Sequence, residues 1–391
     1  MTIPPTNASD SNKSEEQMKA IRSAIDRIDT QLLQLLNERA QCSKEMGRIK
    51  ADTTSIIFKP LRENDLLNQL AQKNPGILPD EHLRSIWREI LSSSRALQRP
   101  QDIAYLGPEG TFSFFAGIEY LGHSGTYHPC RDIAEIFEMV HEGKCELGVV
   151  PLENSLQGTV GVSFDLFLKY PLVIQAELFS RISHCLMSKE RQFSTIQTIY
   201  SHPQPLAQCS TWLRTHFPEA ALVPMASTAS AARKASEQEG SAAIGHKGLA
   251  AMTGLGILAQ RIEDAPGNWT RFVIITQEQK SLKKTQNALA DKTSMLFTLH
   301  DTPGALSLVL SCLAKEHINM RKLESRPLQG ETWKYVFFAD VECDLTAPAY
   351  QNLVRELSNH CSSFRILGSY CMGSQLDRTI PAEDSPSNAS L

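Results

Sequence analysis

The stretch from Met18 to Ile49 limits what this chain can fold into more than any other part of it. Met18, Ile21, Ile25, Ile28, Leu32 and Leu35 alternate spacings of three and four, and the count runs on through Arg39 to Cys42, Met46 and Ile49. That is a heptad seam, and it predicts one long helix over about residues 16 to 50. Such a helix spans about 50 Å, too long to bury its seam against short local partners, so pairing with a second copy of the chain is expected. Arg39 is the one strongly polar member of the seam. It reads in two ways. It is a register-setting residue, or one that snorkels out to water; or it is an anion site, because a buried guanidinium needs an oxyanion partner. Lys50 follows three helical turns later on nearly the same face. Arg22 lies about 25 Å before Arg39 and about 100° around the helix, so the two cannot grip one small ligand from one helix. In a paired dimer Arg22 is available to the partner's site. Downstream, PLRENDLL offers Arg62 and Glu63, and SSSRALQ offers Ser94 and Gln98.

At 391 residues the chain is too long for one ordinary core. Three textures divide it: an all-helical segment over 15–100, an α/β segment over 101–278 and a smaller α+β segment over 293–373. Residues 1–14 and 374–391 read as disordered termini and 279–292 as a polar linker. The net charge of −4 gives no signal for nucleic acid. No apolar run approaches the ~18 residues of a membrane span. The 9 cysteines are scattered without a C-x-x-C, so neither a disulfide framework nor a zinc site is expected. A reducing, cytoplasmic setting is.

Over 101–278 short apolar runs alternate with helical stretches, the pattern of a largely parallel sheet. GPEGTFS (107–113) follows a strand and opens a helix, so its backbone N–H groups and the hydroxyls of Thr111 and Ser113 suit an anion; a plain connecting turn reads the same. It is not G-x-G-x-x-G, which argues against a dinucleotide site. PLENSLQGTV (151–160) places Glu153, Asn154 and Ser155 at a strand end, where α/β folds bind ligands and where turns are also capped. SHPQP places His202 at another strand end, and NWTRF places Thr270 and Arg271 at the start of a strand. The segment over 293–373 orders as strand, helix, strand, strand, helix, strand, which is the ferredoxin-like arrangement. It carries DTPGALSLVL (301–310) and LESRP (323–327), where Glu324 and Arg326 alone would be a weak surface pair.

Taken together these residues carry a resemblance. Arg22, NER to Arg39, GRIK to Lys50, PLRE and S-x-x-x-Q resemble the all-helical class of chorismate mutase, an intertwined helical dimer. The resemblance implies that Arg39 and Lys50 bind the carboxylate and ether oxygen of chorismate. It implies too that Arg22 comes from the other protomer, that Glu63, Ser94 and Gln98 complete the set, and that Arg62 is nearby. Lys59 departs from relatives that carry an acid there. The blocks GPxGTxS, PxENSxxGxV, SHPQ, STASAA (227–232) and NWTRF resemble prephenate dehydratase, a two-lobed α/β fold like type II periplasmic binding proteins. That implies an essential Thr270, with Arg271 as a carboxylate partner and Glu153 or His202 as proton donor. Thr111, Ser113, Asn154, Ser155, Ser227 and Thr228 are implied as further cleft residues.

The GAL and ESRP blocks resemble the ACT regulatory domain, with Ser307 where Val is usual. They imply phenylalanine binding near Gly304, Ala305, Leu306, Glu324, Ser325, Arg326 and Pro327. The whole resembles a bifunctional, phenylalanine-regulated enzyme acting on chorismate and then prephenate. It is expected to be a homo-oligomer, dimer or tetramer, joined through its helical and ACT domains, with no metal, nucleotide or redox cofactor.

Overall fold

The computed structural model describes residues 8–50, 57–278, 290–328 and 334–376, with side chains from Ser14 onward. Three helices come first: α1 (Ala8–Lys50), α2 (Pro60–Lys73) and α3 (Asp80–Gln98). Helix α1 begins at Ala8, inside the span expected to be a loose terminus. Its end crosses α3 at close range. A Cβ on Gly47 would lie 2.8 Å from the Gln98 backbone, so glycine permits the crossing. The large apolar residues of the seam are exposed in the single chain, from 42% at Met46 to 74% at Ile49. An apolar row of that length, with Arg39 its one strongly polar member, marks an interaction face.

The next part of the chain builds two sheets. It runs β1 (Asp102–Leu106), α4 (Phe112–Leu121), β2 (Thr126–Cys130), α5 (Ile133–His141), β3 (Leu147–Asn154), β4 (Gly158–Thr159), α6 (Gly161–Lys169) and β5 (Leu172–Arg181). The second lobe follows with β6 (Cys185–Ser188), β7 (Thr198–Ser201), α7 (Pro203–Gln208), α8 (Ser210–His216), β8 (Ala221–Pro224), α9 (Thr228–Glu237), β9 (Ser241–Gly245), α10 (Gly248–Thr253) and β10 (Gly256–Gln260). Strand β11 (Trp269–Gln277) returns to the first sheet. In that sheet β3, β1 and β2 run parallel, while β11 lies antiparallel between β3 and β5. The second sheet is ordered β10-β6-β9-β7-β8. The chain therefore crosses between lobes at 182–184 and returns at 261–268. Strand β3 is buried over Leu147–Leu152 because helices cover one face of the sheet and other elements the opposite face.

The C-terminal unit comprises β12 (Lys292–Leu299), α11 (Ala305–Lys315), β13 (Met320–Pro327), β14 (Tyr335–Val341), α12 (Gln351–His360) and β15 (Cys361–Tyr370). Its sheet order is β13-β14-β12-β15, the ferredoxin-like order expected. Two boundaries differ from expectation. Lys292 is buried and opens β12 rather than ending a linker, because it is paired with Glu177 at 2.9 Å; the linker residues 279–289 lie outside the described residues. Ser374–Leu376, placed in the disordered tail on composition, form strand β16 and pair parallel with β5, burying Leu376. The C-terminal sheet packs on the first lobe. Phe338 meets Phe164 edge-on at 4.3 Å, and Arg365 donates to the carbonyls of Phe167, Tyr170 and Leu172, between the end of α6 and the start of β5. Among the described residues no helix is long and apolar enough to cross a membrane.

Candidate active sites

The first cavity, about 270 Å³, opens between α1, α2 and α3. Among the described residues, Arg39, Lys50, Lys59, Arg62 and Arg95 bring five cations to it against one carboxylate, Glu63. Arg39 donates to the Ser94 hydroxyl, which in turn donates to the Ile90 carbonyl at 2.7 Å. Gln98 donates to the Ser94 carbonyl at 3.2 Å, and its own Oε1 is buried with no partner among the described residues. Burial depresses the pKa of Arg39, and burial with repulsion from Lys59 and Arg62 depresses that of Lys50. An anion in the cavity reverses both effects. Arg39 and Lys50, which helical spacing puts on one face, therefore come together with Arg62, Glu63, Ser94 and Gln98, the set that the resemblance implies. Arg22 does not. It is exposed, and about 25 Å of helix separates it from Arg39. Arg95 was passed over in the sequence, because the S-x-x-x-Q spacing draws attention to its neighbours.

The second cavity, about 430 Å³, lies between the two sheets, at the ends of β1 and β3 and the start of β11. The first turns of α4, α7 and α9 border it. Thr111 caps α4 by accepting from the Phe114 N–H, and Ser227 caps α9 in a reciprocal arrangement with Ser230. Ser113 and Thr228 are buried in the wall. His202 sits half-buried at the rim and caps α7 by accepting from the Gln204 N–H. Oriented N–H groups of this kind favour an anionic ligand. The loop before α4 crosses to the second lobe at close range. Gly110 has φ +89, and a Cβ there would lie 2.5 Å from Leu249.

Asn154 is the centre of the first-lobe wall. Its Nδ2 donates to Asn268 Oδ1 at 2.7 Å and to the Thr270 hydroxyl oxygen at 3.0 Å, while its Oδ1 accepts from the N–H groups of Leu156 and Gln157. Because Thr270 accepts from Asn154, its own proton is free to be donated elsewhere. His184 also lines this cavity and was missed in the sequence. It is fully buried, its Nε2 lies 2.8 Å from Gln208 Oε1, and its Nδ1 has no partner among the described residues. Burial lowers its pKa, which keeps the ring neutral.

Three expected cleft residues are placed elsewhere, and strand geometry explains two of them. Neighbouring residues of a strand point to opposite faces. Thr270 faces the cavity, so Arg271 faces away. Its Nε donates to Glu177 at 2.8 Å, Nη1 to Asp340 at 2.6 Å and Nη2 to the Tyr370 hydroxyl at 3.1 Å. It is not a carboxylate partner in the cleft but a joint to the C-terminal unit. Asn154 likewise faces the cavity and Glu153 the other side, where Lys322 pairs with it at 2.8 Å. Glu153 is thus not a proton donor in the cleft. Ser155 lies in the turn and locks it, accepting from the Trp269 N–H at 2.9 Å.

On β13 every second residue faces the first lobe. Glu324 accepts from Thr159 at 2.5 Å and Arg326 pairs with Asp165 at 3.2 Å, while Ser325 and Pro327 stay exposed. Gly304, in the left-handed region, leads into Ala305 and Leu306 at the start of α11. Cys312, Glu356 and His360, which have the spacing of metal ligands, line neither cavity.

A cation-lined helical pocket and a two-lobed anion cleft on one chain define a two-site enzyme. Residues 21–99 match the family model for chorismate mutase type II, and residues 103–280 match that for prephenate dehydratase. The chain belongs to the bifunctional chorismate mutase/prephenate dehydratase family. It is 37% identical over 359 residues to the bifunctional enzyme of Aquifex aeolicus (strain VF5), covering 91% of this chain and 98% of the relative. Among solved structures, prephenate dehydratase from Arthrobacter aurescens in complex with L-Phe is 32% identical with a TM-score of 0.61, over 69% of this chain and 90% of that one. GqqA, described as a novel type of quorum-quenching acylase, is 31% identical with a TM-score of 0.62, over 69% of this chain and 98% of that one.

Proposed function

We propose that the helical pocket holds chorismate as a dianion between Arg39 and the partner's Arg22, with Arg62, Glu63 and Ser94 completing the grip. The rearrangement to prephenate is concerted and needs no nucleophile. The pocket has to select the compact conformer and meet negative charge building on the ether oxygen. Lys50 supplies a cation at that oxygen and the Gln98 amide a neutral N–H donor. The cations that line the cavity, Arg39, Lys50, Lys59, Arg62 and Arg95, support an anionic ligand there.

The two-lobed cleft takes prephenate. Loss of hydroxide and carbon dioxide aromatises the ring to phenylpyruvate, and the departing hydroxyl needs a proton or a hydrogen-bond donor. Thr270 is too weak an acid to ionise, so it donates a hydrogen bond or relays a proton; His202 at the rim is the remaining proton source among the residues singled out in the sequence. The Asn154–Thr270 hydrogen bond carries this reading, because it turns the threonine proton outward. The C-terminal unit is the ACT domain. Phenylalanine binds between two copies near Gly304, Ala305, Leu306, Ser325 and Pro327, and shifts activity through its differential affinity for two states. Glu324 and Arg326, already engaged with the first lobe, are the link by which that signal travels. The oligomer is a dimer or tetramer, and the nine free cysteines fit a cytoplasmic enzyme.

One assay tests the whole. Chorismate is supplied to the full chain and prephenate and phenylpyruvate are followed with and without phenylalanine at about 1 mM, which saturates a site of micromolar Kd. Thr270→Ala should halt the course at prephenate, lowering the second step about 100-fold or more while the first continues. Full phenylpyruvate output from Thr270→Ala sinks the cleft assignment. Indifference of both rate and oligomeric size to phenylalanine sinks the regulatory one.

A further inference from the structure

Arg95 lies between the two catalytic units, and its side chain is only 5% exposed. All three guanidinium nitrogens are used. Nη1 donates to both Glu63 oxygens at 2.7 and 2.6 Å, Nε donates to Gln101 Oε1 at 3.0 Å, and Nη2 donates to the Leu121 carbonyl. Leu121 is the last residue of α4, the helix whose first turn lines the dehydratase cleft. A cation suits the orphan carbonyls at a helix end. The Arg95 guanidinium also lies over the Phe58 ring at 5.4 Å, and Phe58 meets Tyr120 of α4 edge-on at 6.2 Å. The mutase wall is thus built onto a dehydratase helix.

We propose that Arg95 is a positioning residue for the mutase reaction, holding the Glu63 carboxylate in place and ionised with α4 as its anchor. The proposal rests on the reading of Glu63 as a chorismate ligand. The groups facing Glu63 are Arg95 from α3, Arg39 and Lys50 from α1, Lys59 and Arg62 from its own segment, and Tyr120 from α4. Burial drives the Glu63 pKa up, and Arg95 and then Arg39 oppose it. A bound dianion takes up the Arg39 charge and adds negative charge beside Glu63. Arg95, in direct contact with both Glu63 oxygens, is then the nearest counter-charge, and it is already fixed by bonds to the other unit. Without it the carboxyl takes up a proton or swings away.

The test uses the full chain and measures mutase kcat and KM across pH for wild type, Glu63→Gln, Arg95→Gln, Arg95→Lys and the double Gln variant, with circular dichroism to confirm folding. Arg95→Gln should lower kcat/KM about 10- to 100-fold. The ionisation seen in wild type and lost in Glu63→Gln should move to higher pH. Adding Arg95→Gln to Glu63→Gln should cost little more, because the two act as a unit. Arg95→Lys, which keeps charge but loses the paired grip, should recover part of the loss. A wild-type pH profile in folded Arg95→Gln, or losses that add in full, overturns the proposal. Should Arg95→Gln not fold, an unshifted profile in Arg95→Lys overturns it in the same way. If Glu63→Gln itself leaves the mutase unchanged, the reading of Glu63 and this proposal fall together. A dead Glu63→Gln beside an unshifted Arg95 variant removes the proposal alone.

Discussion

Asn154 shows how much one amide decides. Its Nδ2 donates to Thr270 while its Oδ1 is occupied by two backbone N–H groups, so its orientation is set by the turn that follows. Asn154→Ala should lower dehydratase kcat about 10- to 100-fold, the cost of losing an aligned donor. Asn154→Asp should cost more. A carboxylate can only accept, so Thr270 would have to turn its proton toward residue 154 and away from the cleft. Steady-state prephenate turnover checks both, and an aspartate variant better than the alanine one would contradict the assigned direction of that bond. At this scale the sequence was legible where a residue's role follows from helix or strand phase. Arg39 and Lys50 share a helical face and do meet in one cavity. The same phase rule, applied within TRF and PxEN, would have separated Thr270 from Arg271 and Asn154 from Glu153. Reading each block as a single patch obscured it. Arg95 and His184 were beyond reach, since the partners that define them, Glu63 and Gln208, are 32 and 24 residues away in sequence.

Among the elements, the long helix and the alternating strand–helix order were legible because each has a period. Strand β16 has none. Three residues cannot show alternation, and their pairing partner is β5, nearly two hundred residues earlier. The close crossing of the loop before α4 over the second lobe was equally silent, since a glycine in sequence does not say what approaches it. Its consequence is testable. Gly110→Ala combines an unfavourable φ of +89 with a contact of 2.5 Å to Leu249 and one of 3.2 Å to Ala229, residues of α10 and α9. The lobes must part slightly to relieve it. The expected result is a rise of about tenfold in KM for prephenate with mutase kinetics unchanged, and an unaltered KM would show that the two lobes yield there at no cost.

At the scale of the whole molecule, the proposed pairing of two copies through α1 is one that kinetics can count. Arg22 and Arg39 of one chain are about 25 Å apart, so a site that uses both takes them from different chains. In a mixed dimer of Arg22→Ala with Arg39→Ala, one site receives both intact arginines and the other receives neither. Each variant alone should be inactive as a mutase, and the isolated mixed dimer should regain about half of the wild-type rate. A mixture that stays dead would place both arginines in sites confined to one chain.

The joint behind Thr270 bears on how such a chain can be divided. Arg271 and Glu177 come from the dehydratase sheet, Lys292 and Asp340 from the C-terminal sheet, and the pairs cross: Arg271 with Asp340, Lys292 with Glu177. Burial alone would raise the Asp340 pKa, yet Arg271 and Lys292 hold it below the usual carboxylate range. Each half is neutral in sum and pairs within itself, Arg271 with Glu177 at 2.8 Å and Lys292 with Asp340 at 3.2 Å, but the crossing pairs complete a buried network of four charges. A gene can be cut between these two units without cutting any strand or helix described here. The proteins so made would each carry a charged pair shaped for a surface they no longer have. A foreign C-terminal unit would fit only if it brought an acid and a lysine to the same two places. Exchange of the C-terminal unit of this chain is therefore expected to depend on four buried side chains outside both cavities, and not on the linker alone.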